Sequence, residues 1–136
     1  VDSCGNITNT IEKGKPFTVR MKVQMHAPIE YPIFALSIKD PKGTEITGTN
    51  TMFEKTDFEV GPIMEISFEQ DMNLQGGEYL LSLGCTGYNG TDFTVYHRLY
   101  DVCNITVVSD KNTVGYYDMN SKITVQTYEG TNICRK

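Results

Sequence analysis

The sequence contains no tryptophan and only two histidines, His26 and His97, which lie far apart in the chain. Without tryptophan, there is no residue of the kind that packs against the core disulfide of an antibody domain. The sequence also lacks a Cys-x-x-Cys pair, and a zinc site needs several histidine or cysteine ligands at short spacing. We therefore predict neither an antibody-type core nor a bound metal.

Fingerprints of catalysis are missing as well. The chain has no phosphate-binding loop, no dinucleotide-binding glycine pattern and no Gly-x-Ser-x-Gly elbow. Residues 71–77 carry too few ligands for a calcium loop and indicate a turn. Glu65 and Glu69 share one face of a predicted strand, where a glycosidase could use a carboxylate pair, although an exposed strand face is the commoner explanation. We predict a domain with no catalytic residues and no cofactor.

Positive charge is in short supply, because 12 basic residues face 17 acidic ones for a net charge of -5. Such a chain lacks a basic surface that could attract nucleic acids or anionic lipids. No apolar run approaches the roughly 20 residues of a membrane span, and no basic start with an apolar segment indicates a signal peptide. With 136 residues, 39% of them hydrophobic, we predict one domain over residues 1–136. Because it opens at Val1, we expect it to be excised from a longer chain.

The four cysteines are Cys4, Cys85, Cys103 and Cys134. In a secreted domain, an even number would indicate two disulfides with three possible pairings. Two of these cysteines lie near the termini and none lies in the early strand at 19–23, so we favour free, mostly buried thiols in a reducing compartment. Asn-x-Thr triplets start at Asn6, Asn89 and Asn104. We interpret these triplets as chance, since they are glycosylated only in eukaryotic secretory proteins.

Alternation of apolar and polar residues predicts strands along most of the chain. The cleanest strand covers residues 17–25, where every second residue from Phe17 to Met25 is apolar. Further strands are predicted at 64–69, 79–85, about 100–109 and 123–128, with the second and third of these runs joined through 71–77 as a hairpin or meander. Residues 88–99 are polar and predict at most a short turn, while 111–120 predicts a long loop. Short strands separated by turn residues are typical of an antiparallel sandwich or barrel.

Residues 31–51 are the most informative stretch, because they combine a buried strand, a tight turn and a polar second strand. The apolar run 33–38 suits a central strand that is covered on both faces. Residues 40–43, Asp-Pro-Lys-Gly, have the composition of a turn. The return strand ends in the Gly-Thr-Asn-Thr run at 48–51, whose hydroxyls and amide can hydrogen-bond a ligand. This hairpin predicts a recognition surface and no catalytic centre.

Tyrosine is the better guide to a ligand site, since its ring offers an apolar face to sugar C–H groups beside a polar hydroxyl. The chain has eight tyrosines, and the run 96–101, Tyr-His-Arg-Leu-Tyr-Asp, alternates stacking and hydrogen-bonding groups. A structural corner is the competing explanation for that run. Polar residues of the strand at 17–25 could line one sheet with the last strand, although they could equally form a solvated face. The candidate ligand-binding residues are Arg20, Lys22, Gln24, Asn50, Tyr96, Arg98, Tyr100, Gln126 and Tyr128.

Five segments, taken in order, carry a resemblance to a known family. They are FTVRMKVQMH (17–26), YPIFALSIKDPKGTEITGTNT (31–51), QGGEYLLSLG (75–84), YHRLYDVCNITVVSD (96–110) and VGYYDMNSKITVQ (114–126). Over residues 11–128 the chain resembles the C-terminal carbohydrate-binding domain of ATP-binding subunits in bacterial polysaccharide ABC exporters of the O-antigen type, the Wzt C-terminal family. The strongest element combines P-I-F-x-x-x-I-x-D-x-x-G with G-T-N-T and G-E-Y-x-L-S-L-G.

The resemblance implies an all-β, antiparallel sandwich of immunoglobulin-like or jelly-roll character that recognises the finished end of a polysaccharide without catalysis. It also implies a parent chain with an N-terminal nucleotide-binding domain, so that ATP belongs to the parent. The parent would lie in the cytoplasm at the inner face of the cell membrane, beside a membrane permease. Finally, it implies a homodimer that exchanges its C-terminal strand, with the loop at 111–120 as the tether.

Two departures limit what the resemblance implies about the site. Ala35 stands where glycine is common in the family, and the four cysteines are not part of its pattern, so no pocket residue is carried over. The alternative function is a secreted β-sandwich adhesion or structural module, and a glycosidase is a third. Titration of thiols in denatured, unreduced protein separates the first two, since four free thiols favour the cytoplasmic domain.

Overall fold

The computed structural model describes residues 1–26 and 29–128. In this part of the chain there are seven β-strands and no helix. The strands are β1 (Thr10–Glu12), β2 (Pro16–Gln24), β3 (Tyr31–Lys39), β4 (Glu45–Asn50), β5 (Ile63–Asp71), β6 (Gly77–Asn89) and β7 (Asp92–Val108). The described residues accordingly include no helix of the length and hydrophobicity that crossing a bilayer requires.

The strands form two sheets that enclose one core. The large sheet has the order β1-β7-β6-β3-β4, and the small sheet consists of β2 and β5. Among the described strands, β1 and β7 pair in parallel and every other pair is antiparallel. Apolar side chains from both sheets meet between them, where Phe34 and Met72 are the most completely buried. The predicted all-β sandwich is confirmed.

The small sheet follows directly from the alternation in its sequence. Phe17 and Met21 of β2 are buried, while Arg20 and Lys22 between them are exposed. β2 and β5 pair over their full length without a register shift. A period of two places the apolar residues of both strands on one face, so the strand predicted at 17–25 is confirmed.

The hairpin predicted at 31–51 is also confirmed, with β3 and β4 as its two strands. Its turn is closed by Asp40, whose Oδ1 accepts hydrogen bonds from the backbone N–H of Lys42 (3.0 Å) and of Thr44 (2.8 Å). Gly43 adopts φ 88°, a conformation that favours glycine. The turn therefore forms for the reasons that its sequence indicates.

The hairpin or meander predicted between 64–69 and 79–85 is wrong. β5 pairs with β2 in the small sheet, whereas β6 lies between β3 and β7 in the large sheet. The connection between β5 and β6 carries two buried apolar residues, Met72 and Leu74. Because these side chains are drawn into the core, the chain crosses from one layer to the other there.

The segment 88–99, predicted as a short turn, is instead the tip of a long hairpin. β6 and β7 pair from Asn89 and Asp92 down to Gly77 and Val107, and Gly90 turns between them at φ 65°. The strand predicted at 100–109 is the second half of β7. Residues 92–97 are exposed on both faces, so this part of β7 is not a half-buried strand.

The strand predicted at 123–128 does not form in the single chain. Residues 121–128 have no strand pairing, and Ile123 and Val125 are 82% and 83% exposed. An alternating sequence becomes a strand only beside a partner that takes its backbone hydrogen bonds. None of the described strands supplies one to this segment.

The three described cysteines, Cys4, Cys85 and Cys103, are free, as predicted. Cys85 is buried, and this burial raises the pKa of its thiol. Cys103 is half-buried, but Cys4 is exposed, so the expectation that the thiols are mostly buried does not extend to it. Cys134 lies outside the described residues.

Candidate functional site

Three of the predicted ligand-binding residues lie on the outer face of the small sheet. Arg20, Lys22 and Gln24 are exposed on β2. Lys22 stands opposite Glu65 of β5, so its charge has an acidic neighbour on the same face. This arrangement fits the solvated face that the sequence left open as the competing explanation.

Asn50 lies in the large sheet, and the Gly-Thr-Asn-Thr run that contains it makes hydrogen bonds within the protein. The side-chain Oδ1 of Asn50 accepts a hydrogen bond from the N–H of Phe53 (2.7 Å) and closes the turn that follows β4. Thr51 is buried, and its hydroxyl accepts from the N–H of Phe34 (3.2 Å). The hydroxyl of Thr49 donates to Glu54 Oε2 (2.5 Å). Much of the polar run that suggested a ligand thus stabilises its own loop.

The run 96–101 lies inside β7 and is no corner between elements. The β6–β7 register shifts twice along this run, once at Tyr96 and once between Leu99 and Cys103. Tyr96 is 36% exposed, whereas the side chains of Arg98 and Tyr100 lie outside the described part of the chain. Register shifts of this kind bend a strand and redirect its side chains.

Gln126 and Tyr128 belong to residues 121–128, which we call the tail segment, and they contact each other through a hydrogen bond from the Tyr128 hydroxyl to Gln126 Oε1 (3.1 Å). Because the tail segment has no strand pairing, neither residue shares a sheet with β2. The predicted single face is wrong, because its residues are divided between the small sheet, the large sheet and the tail segment. Whether any of them binds a ligand stays a prediction.

The structure brings together three aromatic residues that the sequence did not single out. Tyr31 of β3 lies opposite Tyr88 of β6, and Tyr88 lies opposite Phe93 of β7. The rings of Tyr88 and Phe93 are 5.2 Å apart between centroids and tilted by 58°. We call this row the aromatic ladder. Tyr31 is 61% exposed and Phe93 is 53% exposed, so the ladder meets solvent along its length.

The aromatic ladder lies on the outer face of the large sheet. Phe34 and Leu36 of β3 pack into the core, and a period of two turns Tyr31 and Ile33 to the opposite face. Ile33 is nevertheless only 7% exposed, as is Ser82 farther along the same face. Neighbouring side chains therefore cover these two residues.

The tip of the ladder is joined to the rest of the fold by a polar contact. The N–H of Gly90, between β6 and β7, donates to Glu30 Oε2 (3.2 Å), just before β3. This bond connects the hairpin tip to the strand that carries Tyr31. Flat apolar rings beside polar groups form a surface on which an amphipathic ligand such as a sugar can stack.

At the opposite end of the sandwich, residues 109–120, which we call the strap, help line a cleft of about 680 Å³. Lys13 Nζ lies 2.6 Å from Asp118 Oδ2, and both side chains are almost fully buried. The hydrogen bond from Lys13 is the main reason that the pKa of Asp118 is lowered to about 2. Among the described residues, no buried side-chain nitrogen or oxygen lacks a partner. The cleft therefore offers no orphaned polar group to a ligand.

Asp40 joins the strap to the β3–β4 turn. Its Oδ2 accepts a hydrogen bond from the Tyr116 hydroxyl (2.5 Å). This bond is the main cause of two shifts, since it lowers the pKa of Asp40 and raises that of Tyr116. No group of three or more histidine, cysteine, aspartate or glutamate side chains in the described part of the chain is arranged to hold a metal ion.

Comparison with known proteins decides the family. The sequence profile of the Wzt C-terminal domain matches residues 1–119. The chain belongs to the Wzt C-terminal domain family. A crystal structure of the C-terminal domain of Wzt superposes with a TM-score of 0.78 at 24% sequence identity, covering 88% of this chain and 75% of that one. At that identity the superposition shows a shared fold alone. No curated protein matches the sequence.

Membership confirms the resemblance that the five sequence segments carry. A Wzt C-terminal domain is the C-terminal part of the ATP-binding subunit of an ABC exporter, and it is non-catalytic and separate from the ATPase module. Such a subunit is a cytoplasmic protein that works with a permease. The prediction that this chain is no enzyme is thus confirmed by its family.

Proposed function

We propose that this domain recognises a cell-surface polysaccharide without cleaving it, and so selects the finished glycan for export. The observation that carries the proposal is the aromatic ladder, formed by Tyr31, Tyr88 and Phe93 across three adjacent strands. Neighbouring aromatic rings on an open sheet face are typical of an interaction surface. Family membership supplies the transport context.

The ladder suits a polymer because it repeats. Adjacent strands are about 4.8 Å apart, so three rings span roughly 10 Å across the sheet. Successive sugar units can place their C–H faces on successive rings, while their hydroxyls stay free to hydrogen-bond polar groups beside the rings. Binding to each domain is weak, because stacking and hydrogen bonds must offset the ordering of a flexible, hydrated chain.

In this proposal the candidate residues of the large sheet share that sheet with the ladder, while those of β2 belong to the other sheet. Asn50 lies in register with Ala35 of β3, and Tyr96 follows Val95 of β7. We keep Asn50, Tyr96, Arg98 and Tyr100 as candidate ligand-binding residues. Arg20, Lys22 and Gln24 on β2, with Gln126 and Tyr128, form the competing location.

A matched pair of tyrosines tests the location. Tyr31 and Tyr117 are both 61% exposed, but only Tyr31 belongs to the ladder. With the surface polysaccharide of the source bacterium as the probe, Tyr31→Ala should weaken binding several-fold in titration calorimetry, and Tyr117→Ala should leave it unchanged. Loss of binding in Arg20→Ala with normal binding in Tyr31→Ala would move the site to the small sheet.

The absence of cleavage is tested separately. Glu65 and Glu69 lie with Ser67 on the exposed face of β5, an arrangement that a solvated strand also produces. Incubation with the same polysaccharide should release no reducing sugar. Release that Glu65→Gln or Glu69→Gln abolishes would show a glycosidase in place of a binding domain.

We further propose that two copies of the domain associate through their tail segments. Ile123 and Val125 alternate with Thr124 and Gln126, and their apolar side chains are exposed in the single chain. A strand of the second copy would satisfy the backbone of such a segment and would cover these side chains. Light scattering should find a dimer of residues 1–136 and a monomer of a chain that ends at Asn120. A truncated chain that still dimerises would contradict strand exchange.

The parent protein in this proposal carries an N-terminal nucleotide-binding domain and brings the glycan to the permease at the inner face of the membrane. The alternative of a secreted adhesion module predicts disulfides. Cys4, Cys85 and Cys103 are free, which supports the cytoplasmic location. Titration of the denatured, unreduced protein should find four thiols, and finding none would favour the secreted module.

A further inference from the structure

The strap is held to the body of the domain along most of its length. The N–H of Gln75 donates to the carbonyl of Tyr116 (3.0 Å), and the N–H of Asp118 donates to the carbonyl of Asn73 (2.7 Å). Between these bonds, Leu74 and Tyr117 form an antiparallel bridge. The strap thus pairs with the segment that crosses between β5 and β6, and it is no free tether of the kind predicted at 111–120.

Side chains reinforce this pairing. Besides its ion pair with Asp118, Lys13 Nζ donates to Gln75 Oε1 (2.9 Å) and to the carbonyl of Lys111 (2.6 Å). Gln75 holds Thr113 twice, because its Nε2 donates to Thr113 Oγ1 (2.6 Å) and its Oε1 accepts from the Thr113 N–H (2.9 Å). We call Lys13, Gln75, Thr113 and Asp118 the polar lock.

The polar lock fixes a segment whose own apolar side chains stay in water. The side chains of Lys13 and Asp118 are only 10% and 6% exposed, whereas Val114 and Met119 on the strap are 93% and 75% exposed. Burying charges is costly unless they are paired. Because Val114 and Met119 stay exposed, the strap offsets little of this cost by burying apolar surface. What the lock does achieve is a fixed point of departure for the tail segment, directly after Asn120.

We propose that the polar lock is a positioning device that keeps the tether of the tail segment short and thereby strengthens association with a second copy of this chain. This inference rests on the proposed homodimer. With the lock closed, Ser121 and Lys122 alone separate the anchored strap from Ile123. With the lock open, the tether grows to residues 109–122. Once one tail segment has bound the second copy, the reciprocal exchange takes place within the complex, where effective concentration falls with about the −3/2 power of tether length. Opening the lock therefore weakens dimerisation roughly tenfold to twentyfold.

The test measures the dimer dissociation constant of residues 1–136 by analytical ultracentrifugation. Lys13→Met should raise this constant about tenfold, and Lys15→Met, on the exposed part of the same turn, should leave it unchanged. Thr113→Val is the milder variant if Lys13→Met folds poorly, because it removes only the hydroxyl that accepts from Gln75. Asp118→Asn and Asp110→Asn form a second matched pair, since Asp118 is buried and Asp110 is exposed.

Hydrogen exchange supplies a readout that does not depend on dimerisation. In Lys13→Met, the amides of Thr113 and Asp118 should exchange faster than in the wild type, while those of β3 and β6 keep their protection. Unchanged exchange in the strap would overturn the lock, and so would faster exchange with an unchanged dissociation constant. A wild type that stays monomeric at every concentration would overturn the homodimer and this inference together, but would leave the glycan site standing.

Discussion

The two ends of the sandwich differ, because aromatic rings are exposed at one end and charged side chains are buried at the other. At the hairpin end, Tyr31 and Phe93 leave more than half of their surface in water on an open sheet face. At the strap end, Lys13 and Asp118 withdraw their charges from water and satisfy each other. Buried polar groups with every partner present indicate a structural contact at the strap end, whereas neighbouring aromatic rings on an open sheet face are typical of a surface for a ligand.

The largest effect is expected from the core, where stability and binding should separate. Met72 is 1% exposed and lies in the segment that carries the strap. Met72→Ala should lower the free energy of unfolding by about 2–5 kcal/mol, since it leaves a cavity. Urea denaturation measures this loss. At a temperature where the variant is folded, its polysaccharide affinity should match that of the wild type. A loss of affinity in the folded variant would contradict the separation of stability from binding.

The ladder should show the reverse pattern. Replacing Tyr88 and Phe93 together by alanine removes two rings and their mutual contact at 5.2 Å. We expect binding to weaken tenfold or more, which corresponds to about 1.4 kcal/mol for each factor of ten. Titration calorimetry measures the affinity, and circular dichroism checks the fold. A double variant that loses stability but keeps its affinity for the polysaccharide would show that the two rings stabilise the fold and do not bind the ligand.

Acid should act on the strap end before it acts on the ladder. The pKa of Asp118 is lowered to about 2 from an ordinary 3.8, chiefly by the hydrogen bond from Lys13. Its contribution to stability is therefore complete above about pH 4 and is lost as the pH falls through about 2. Asp118→Asn should flatten the fall in melting temperature between pH 4 and pH 2. Some slope should remain, because Asp2 and Asp40 also have lowered pKa values.

The smallest effect concerns the contact between the strap and the β3–β4 turn. Tyr116→Phe removes the hydroxyl that donates to Asp40. The pKa of Asp40 should then rise towards its ordinary value, as NMR titration of its carboxyl group can measure, while the melting temperature falls only slightly. The backbone bonds from Lys42 and Thr44 remain and keep the turn closed. An unchanged pKa would show that these backbone bonds alone lower it.

Local features of the fold could be predicted from the sequence, because they depend on neighbours in the chain. The alternation at 17–25 and the turn at 40–43 reflect side-chain period and backbone conformation, and both are confirmed. Partners of strands are another matter. The apolar pattern of β5 and β6 is the same whether they pair or not, and only the strand pairing in the structure shows that the chain crosses between sheets.

The candidate site was harder to predict for the same reason. Tyr31, Tyr88 and Phe93 come from three strands, and their meeting depends on the registers of β3–β6 and β6–β7. In the tip of the β6–β7 hairpin, residues 92–97 are exposed on both faces, and so short a polar and apolar alternation does not by itself predict a strand. The Gly-Thr-Asn-Thr run drew attention by its composition, although much of its polar chemistry is used within its own loop.

The measurement that tests the central claim most directly is NMR mapping of the isotope-labelled domain during titration with oligosaccharides cut from the source bacterium's surface polysaccharide. We predict that the resonances of Tyr31, Tyr88 and Phe93 shift first, and that their shifts follow one saturation curve with oligosaccharide concentration. Those of Arg20, Lys22 and Gln24 on the small sheet, and of Lys13 and Asp118 at the strap end, should stay in place. Shifts that follow β2 or the strap while the three rings stay unperturbed would contradict the proposed glycan site.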